Sequence, residues 1–232
     1  MLGIRALLRS QAGTRSALTS TSDLSPEAVL RMAFESVALA RETAPDPMAG
    51  LPEGGFAGEL PELELCDPRD REVPIEARIA AAREAESAAR ALDPRISNSE
   101  GSGGASHFTH FCYANSEGFA GSYASASHSL YSEPLAEAAG SKQRDSWFTA
   151  GRHLCELEAP AQVGRRAAER ALRRLGARRV RTCQVPVIFD AITAPSLVAQ
   201  LAGCASGPAL YRRASYLAGR LGELVASPQV TI

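Results

Sequence analysis

The chain has 232 residues, with 25 Lys plus Arg against 26 Asp plus Glu and a formal charge of −1. Hydrophobic residues make up 45% and charged residues 22%, ordinary values for a globular chain with a core of its own. The near-neutral balance excludes an electrostatic nucleic-acid binder, which carries a basic excess, and the longest uncharged stretch, residues 191–211, is too broken by Pro195, Pro208, Gly203 and Gly207 to span a membrane as a helix.

Residues 1–22 contain no acid, and Arg5, Arg9 and Arg15 sit among Leu, Ser and Thr. That is the composition of a transit peptide. It also fits a chance run of arginines, because Lys142 is the only lysine in the chain. Ser25-Pro26-Glu27 then reads as an N-cap, a first-position proline and a first-turn acid. Val29, Met32, Ala33, Val37 and Ala40 follow at helical spacing, predicting a helix over 26–42. From Ala44 to Pro61 the Pro- and Gly-rich run predicts an extended connection. A second helix is predicted over 74–92, with Ile75, Ile79, Ala82 and Ala89 on its apolar stripe. Asp93-Pro94 stops it, since a residue before proline resists the helical conformation.

After Ile96 the texture changes. The run from Asn98 to Gly104 has turn chemistry, and without a lysine it is no phosphate cradle. Residues 107–113 and 119–131 read as antiparallel strands around an Asn115–Gly118 loop, with a further strand near 145–152. A third helix is predicted over 161–175, carrying Val163, Ala167, Ala171, Leu172 and Leu175, with Gly176 at the left-handed cap position. Val185–Phe189 reads as a short apolar strand. Residues 194–203 read as a helix with Leu197, Val198 and Leu201 inward. The class is α+β: antiparallel strands flanked by helices.

Little in this pattern carries chemistry. His107 and His110 fall on opposite faces of a strand and could not easily share a metal. His128 and His153 stand alone. The five cysteines (Cys66, Cys112, Cys155, Cys183 and Cys204) are odd in number, scattered and free of C-x-x-C pairs, which suits a reducing compartment such as the cytoplasm. Neither Cys112 nor Cys155 has a neighbouring base that would activate it. No G-x-S-x-G elbow, P-loop or S-x-x-K occurs. Gln143-Arg144-Asp145-Ser146-Trp147 gathers a guanidinium, a carboxylate and the only Trp. Those residues suit either a substrate or partner contact, or a salt-bridged strand entry anchored by Trp147. Arg165, Arg166, Arg170, Arg173, Arg174, Arg178 and Arg179 crowd the third helix and its exit. They suit an acidic partner or, more simply, a solvated face.

Several stretches in order carry a resemblance. These are Ser20–Ser25, Ile96–Gly101, Asn115–Tyr123, Gln143–Trp147, Val163–Arg170, Val185–Asp190 and Ser206–Ser215. With them the chain resembles the TldD/PmbA family of U62-like metallopeptidases, in its PmbA/TldE-type branch, incomplete at both ends. The resemblance implies a PmbA/TldD-like fold, with a remnant of the first domain over 1–47 and a connection over 48–72. A central domain over 73–180 and the start of a C-terminal domain over 181–232 would follow. It also implies a cytoplasmic heterodimer that degrades or matures small unfolded peptides, one subunit holding zinc through a motif beginning H-E-x-x-x-H.

Aligned on that motif, Ala199 takes the place of the first His, Gln200 of the Glu and Cys204 of the second His. Ala199 offers no lone pair and Gln200 cannot take a proton from water as a carboxylate does. Cys204 alone falls short of the three protein ligands a catalytic zinc needs. No His follows His153, so no shift of register restores the motif. The chain is therefore expected to hold no metal, cofactor or catalytic residue of its own. Its expected partners are a TldD-type zinc-bearing subunit and a peptide, with no nucleic acid and no membrane. Gln143, Arg144, Asp145 and Trp147 remain candidates for substrate or interface. Two alternatives stand beside this reading: a stand-alone peptidase using Cys112 or Cys155, and a protein-binding regulator of DNA gyrase.

Overall fold

The computed structural model describes residues 1–51 and 61–231. By contacts the chain divides into two units, Met1–Ala177 and Arg178–Ile232. Among the described residues no helix is long and apolar enough to cross a membrane.

The opening of the chain is a β-hairpin, β1 (Leu2–Ser10) and β2 (Gly13–Thr21), in continuous antiparallel register from Leu2 opposite Thr21 to Ser10 opposite Gly13. The composition of residues 1–22 carries no signal for this hairpin. The reason is packing: α1 (Pro26–Glu42) lies against both strands. Met32 and Ala40 are buried there as the spacing predicts, with Val29, Ala33 and Val37 half-buried. Ala28 and Ser36 are buried too. Ser36 is tolerated inside because its hydroxyl donates to the Met32 carbonyl at 2.9 Å and also bonds Thr19. Within the predicted connection, Asp46 exchanges backbone bonds with Thr14 at 2.9 and 3.0 Å. Residues 52–60 of that connection lie outside the described residues.

A 3-10 turn, Pro68–Arg71, leads into α2 (Ile75–Leu92), with Pro74 as N-cap and Asp93 as C-cap. The bounds match the sequence reading, and the buried stripe matches it at Ala89 alone. Ala85 and Ala89 are the helix's buried residues, whereas Ile75 and Ile79 stand half exposed. Small residues win because α3 (Pro160–Arg173) crosses at this point, with Gly164 pressed against the backbone of Ala85.

The sheet is built on one long hairpin. β3 (Ile96–Ala114) pairs with β4 (Ala120–Ala138) around the turn containing Asn115–Gly118. β5 (Ser141–Arg144) and β6 (Trp147–Gly151) pair with successive parts of β4. The Asn98–Gly104 run is therefore strand and not a turn. Its turn-like composition has a local cause: the register slips between Ser99 and Gly101, and Gly101 takes φ +133°, a bulge conformation that glycine adopts without strain. Helices α2 and α3 cover one face. Their core joins Ala89, Ile96, Ala136, Ala168 and Ala171, with Leu172 and Leu175 against it. Past α3, Gly176 adopts φ +74° as expected of a cap.

In the second unit, α4 (Ala194–Cys204) and α5 (Gly207–Tyr211) are the helices. Val185–Phe189 is not a strand. A strand needs a partner for its backbone groups, and these residues have none among the described ones. Val187 is 67% and Ile188 97% exposed. Leu197 and Val198 of α4 face solvent instead of a core, with only Leu201 half-buried.

Candidate functional site

The strand entry singled out by the sequence is a closed ionic network. Gln143 lies on β5 opposite Ala136. The exposed Arg144 guanidinium reaches Glu100 at 3.4 Å and Glu133 at 3.6 Å. Asp145 sits between strands, where its carboxylate accepts the Ser146 N–H at 2.8 Å and meets Arg170 at 3.2 Å and Arg174 at 3.5 Å. Burial works against its charge, but the Ser146 N–H and the two guanidiniums outweigh it and hold its pKa below the ordinary carboxylate value. Trp147 is half-buried, its indole N–H donating to Glu158 at 3.2 Å and its ring flanked by Arg166 and Arg170 at 5.2 and 5.8 Å. Arg166 also pairs with Glu158 at 3.1 Å.

The arginines of α3 thus face the sheet in part. Arg166, Arg170 and Arg174 recur every four residues and share one helix face. That spacing was readable from the sequence; Glu158, which completes the network, carried no signal.

A second polar cluster was missed. His128 on β4 is fully buried, with Nδ1 2.8 Å from the Ser106 hydroxyl on β3 and Nε2 3.3 Å from the Asp70 carboxylate. The second contact is electrostatic and not aligned as a hydrogen bond. Phe108 meets the ring edge-on at 5.4 Å, and Asp70 also accepts the Leu154 N–H at 3.1 Å. The imidazole therefore ties two turns to the sheet.

His107 and His110 both lie on β3 and are exposed. Cys112 is exposed with Sγ 3.9 Å from Nδ1 of His110, which has no other hydrogen-bonding partner among the described residues to orient it. Cys155 is exposed in the Leu154–Glu156 turn. An open groove of about 790 Å³ runs beside β4, with His110, Cys66 and Arg152 on its walls.

The segment aligned with the metal motif is helical. Ala199, Gln200 and Cys204 all lie on α4, and the Gln200 amide donates to the Cys204 sulfur at 3.8 Å. The donor set does not fit a catalytic zinc: one thiol, one amide and a methyl group replace the ligands and the base. Among the described residues no group of three His, Cys, Asp or Glu is placed to hold a metal ion.

Residues 68–175 match the PmbA/TldA metallopeptidase central domain, and residues 182–232 match the C-terminal domain of the same family. The chain is 36% identical to the metalloprotease PmbA of Escherichia coli O157:H7 over all 232 residues, which cover 50% of that protein. It is 33% identical over 225 residues to a PmbA homolog of Haemophilus influenzae, covering 97% of this chain and 49% of the relative. The chain thus spans about half the length of the curated relatives it matches. Among solved structures, a candidate modulator of DNA gyrase from Bacteroides thetaiotaomicron superposes with a TM-score of 0.81 at 22% identity, covering 97% of this chain and 51% of that one. TldE from Thermococcus kodakarensis gives 0.73 at 20% identity, covering 94% and 48%. Those likenesses show the mixed helix and antiparallel-sheet fold.

Proposed function

Because the chain belongs to the PmbA/TldD metallopeptidase family, we propose that it acts as the PmbA/TldE-type subunit of a two-subunit cytosolic zinc peptidase. A TldD-type partner supplies the metal, and the pair degrades or matures small unfolded peptides. One observation carries this reading. At the positions of the family's metal motif, α4 presents Ala199, Gln200 and Cys204, and the two polar groups are turned on each other, 3.8 Å apart, in place of a ligand set. The relatives' name of metalloprotease supports the peptidase class.

A second reading, a protein-level regulator of DNA gyrase, draws on the name of the Bacteroides thetaiotaomicron neighbour at 22% identity. The charge of −1 gives direct DNA contact no electrostatic support.

Zinc per chain, measured on the purified protein alone and after mixing with a zinc-bearing TldD-type homologue, tests the proposal. Zinc is expected only in the mixture, together with a stable complex that cleaves peptides. Stoichiometric zinc in the isolated chain, or failure to form any complex, overturns it.

A further inference from the structure

Among the described residues β3 is an edge strand, with β4 on one side and no strand on the other. The register tells which backbone groups that edge leaves open. The Ala126 N–H of β4 turns away from β3 and donates to the Leu65 carbonyl at 2.8 Å. Ala126 stands opposite Phe108, so this pair points its N–H and C=O groups outward on both strands. The register is unbroken from Gly101 to Ala114, and orientation alternates along a strand. Gly104, Ser106, Phe108, His110 and Cys112 therefore each present an N–H and a C=O along the outer edge. Among the described residues no hydrogen bond reaches these groups.

An open edge is ordinarily blunted by a lysine, a proline, an inward-pointing charge or a bulge. This one carries none of them. Residues 101–116 contain no Lys, Arg, Asp, Glu or Pro, nor do residues 118–132, and the register slips all lie before Ser102. The outer half of the hairpin is also thinly covered. β5 and β6 pair with β4 only from His128 onward. Residues 109–124 are left as a two-stranded ribbon on which Phe111, Tyr113 and Tyr123 are half exposed. Two strands alone are marginal in water, and a further strand stabilises them.

We propose that this edge joins two copies of the chain, with β3 pairing antiparallel to β3 of a second copy about a twofold axis near Phe108. An antiparallel pair of identical strands is isologous, so each open donor meets an open acceptor of the same set. Five outward residues on each strand make about ten main-chain hydrogen bonds, the number typical of a stable interface. Two four-stranded sheets then run on as one. Small residues meet larger ones in this register: Gly104 faces the second copy's Cys112, and Ala105 faces the second copy's Phe111. Charge selects a second copy over other edges. An uncharged strand set against itself brings no like charges together, whereas an edge bearing charges would find no counter-charge here. β3 carries none of the residues on which the zinc-partner reading rests, so the two stand or fall separately.

Sedimentation equilibrium of the full chain on its own tests this. A dimer with a dissociation constant of about 10 μM or tighter is expected. His110→Pro removes one outward N–H and sets a ring on the edge. Proline is accepted where a strand's N–H faces solvent, so the pairing with β4 survives while dimerisation should weaken about tenfold or more. Thr109→Lys leaves every backbone group in place. Thr109 is exposed, and two lysines beside the twofold should weaken the dimer by a similar factor, whereas Thr109→Ser should not. In the dimer the amides of Ser106, Phe108 and His110 should exchange as slowly as those of His107, Thr109 and Phe111, which bond to β4. A chain that is monomeric at about 100 μM, a dimer weakened by neither His110→Pro nor Thr109→Lys, or fast exchange confined to the outward amides of a dimeric sample overturns the proposal.

Discussion

Gly164→Ala separates helix propensity from helix packing, because the two act in opposite directions. In an isolated helix the change is stabilising by about 1 kcal/mol, since alanine is the better helix former. In this structure a Cβ on Gly164 would lie 1.9 Å from the carbonyl oxygen of Ala85 and 2.8 Å from its carbonyl carbon. Real Cβ atoms essentially never come within 3.0 Å of such atoms, so α2 and α3 must part by about 1 Å. The obstacle is backbone, which cannot swing aside. Parting the helices loosens Ala85 and Ala89 against Val163, Ala167 and Ala168, all essentially inaccessible. Overpacking costs about 1–3 kcal/mol and at times more, and a clash with backbone belongs at the upper end. The net loss is then about 2 kcal/mol. With a urea slope of about 2 kcal/mol/M, the midpoint falls by about 1 M. Trp147 is the probe of choice: it is the only Trp, and α3 arginines flank its ring. Glu169→Ala, on the exposed face of the same helix, should stay within about 0.5 kcal/mol. A Gly164→Ala protein more stable than the parent would mean that α2 and α3 do not meet at this glycine.

Two further outcomes follow from the same structure. Asp145→Asn removes the charge shared by Arg170 and Arg174 and should cost about 1–2 kcal/mol at pH 7. Its folded pKa is lowered, so its contribution is complete above the unfolded value of about 3.9 and fades as pH falls through the folded value; a parent–variant gap that widens on acidification contradicts this. Amides of residues 185–189 should exchange with solvent far faster than those of α3, because their apolar side chains are exposed and no strand pairs with them; slow exchange there would reveal a partner strand.

The sequence made helices legible where punctuation was strong. Ser25-Pro26 and Asp93-Pro94 placed the start of α1 and the end of α2 because proline fixes backbone geometry locally. Faces were less legible than bounds. In α2 the isoleucines looked like the inward stripe, yet the buried positions are alanines, since the contact with Gly164 admits nothing larger. The same local reading failed at Asn98–Gly104, where Gly and Ser serve a bulge inside a strand instead of a turn between two. The opening hairpin was invisible for a different reason. What defines it is the packing of α1 across it, and its own composition marks only an acid-poor segment.

The candidate sites divide along a similar line. Asp145 and Trp147 were found because rare groups stood close together in sequence, but their partners come from α3 and from Glu158, between 11 and 29 residues away, and those partners give the charges a structural use. A carboxylate held by two guanidiniums is stabilised as an anion and is correspondingly a weaker base. His128 presents the reverse case. It stands 58 residues from Asp70, neither belongs to a motif, and only the fold brings the two within 3.3 Å.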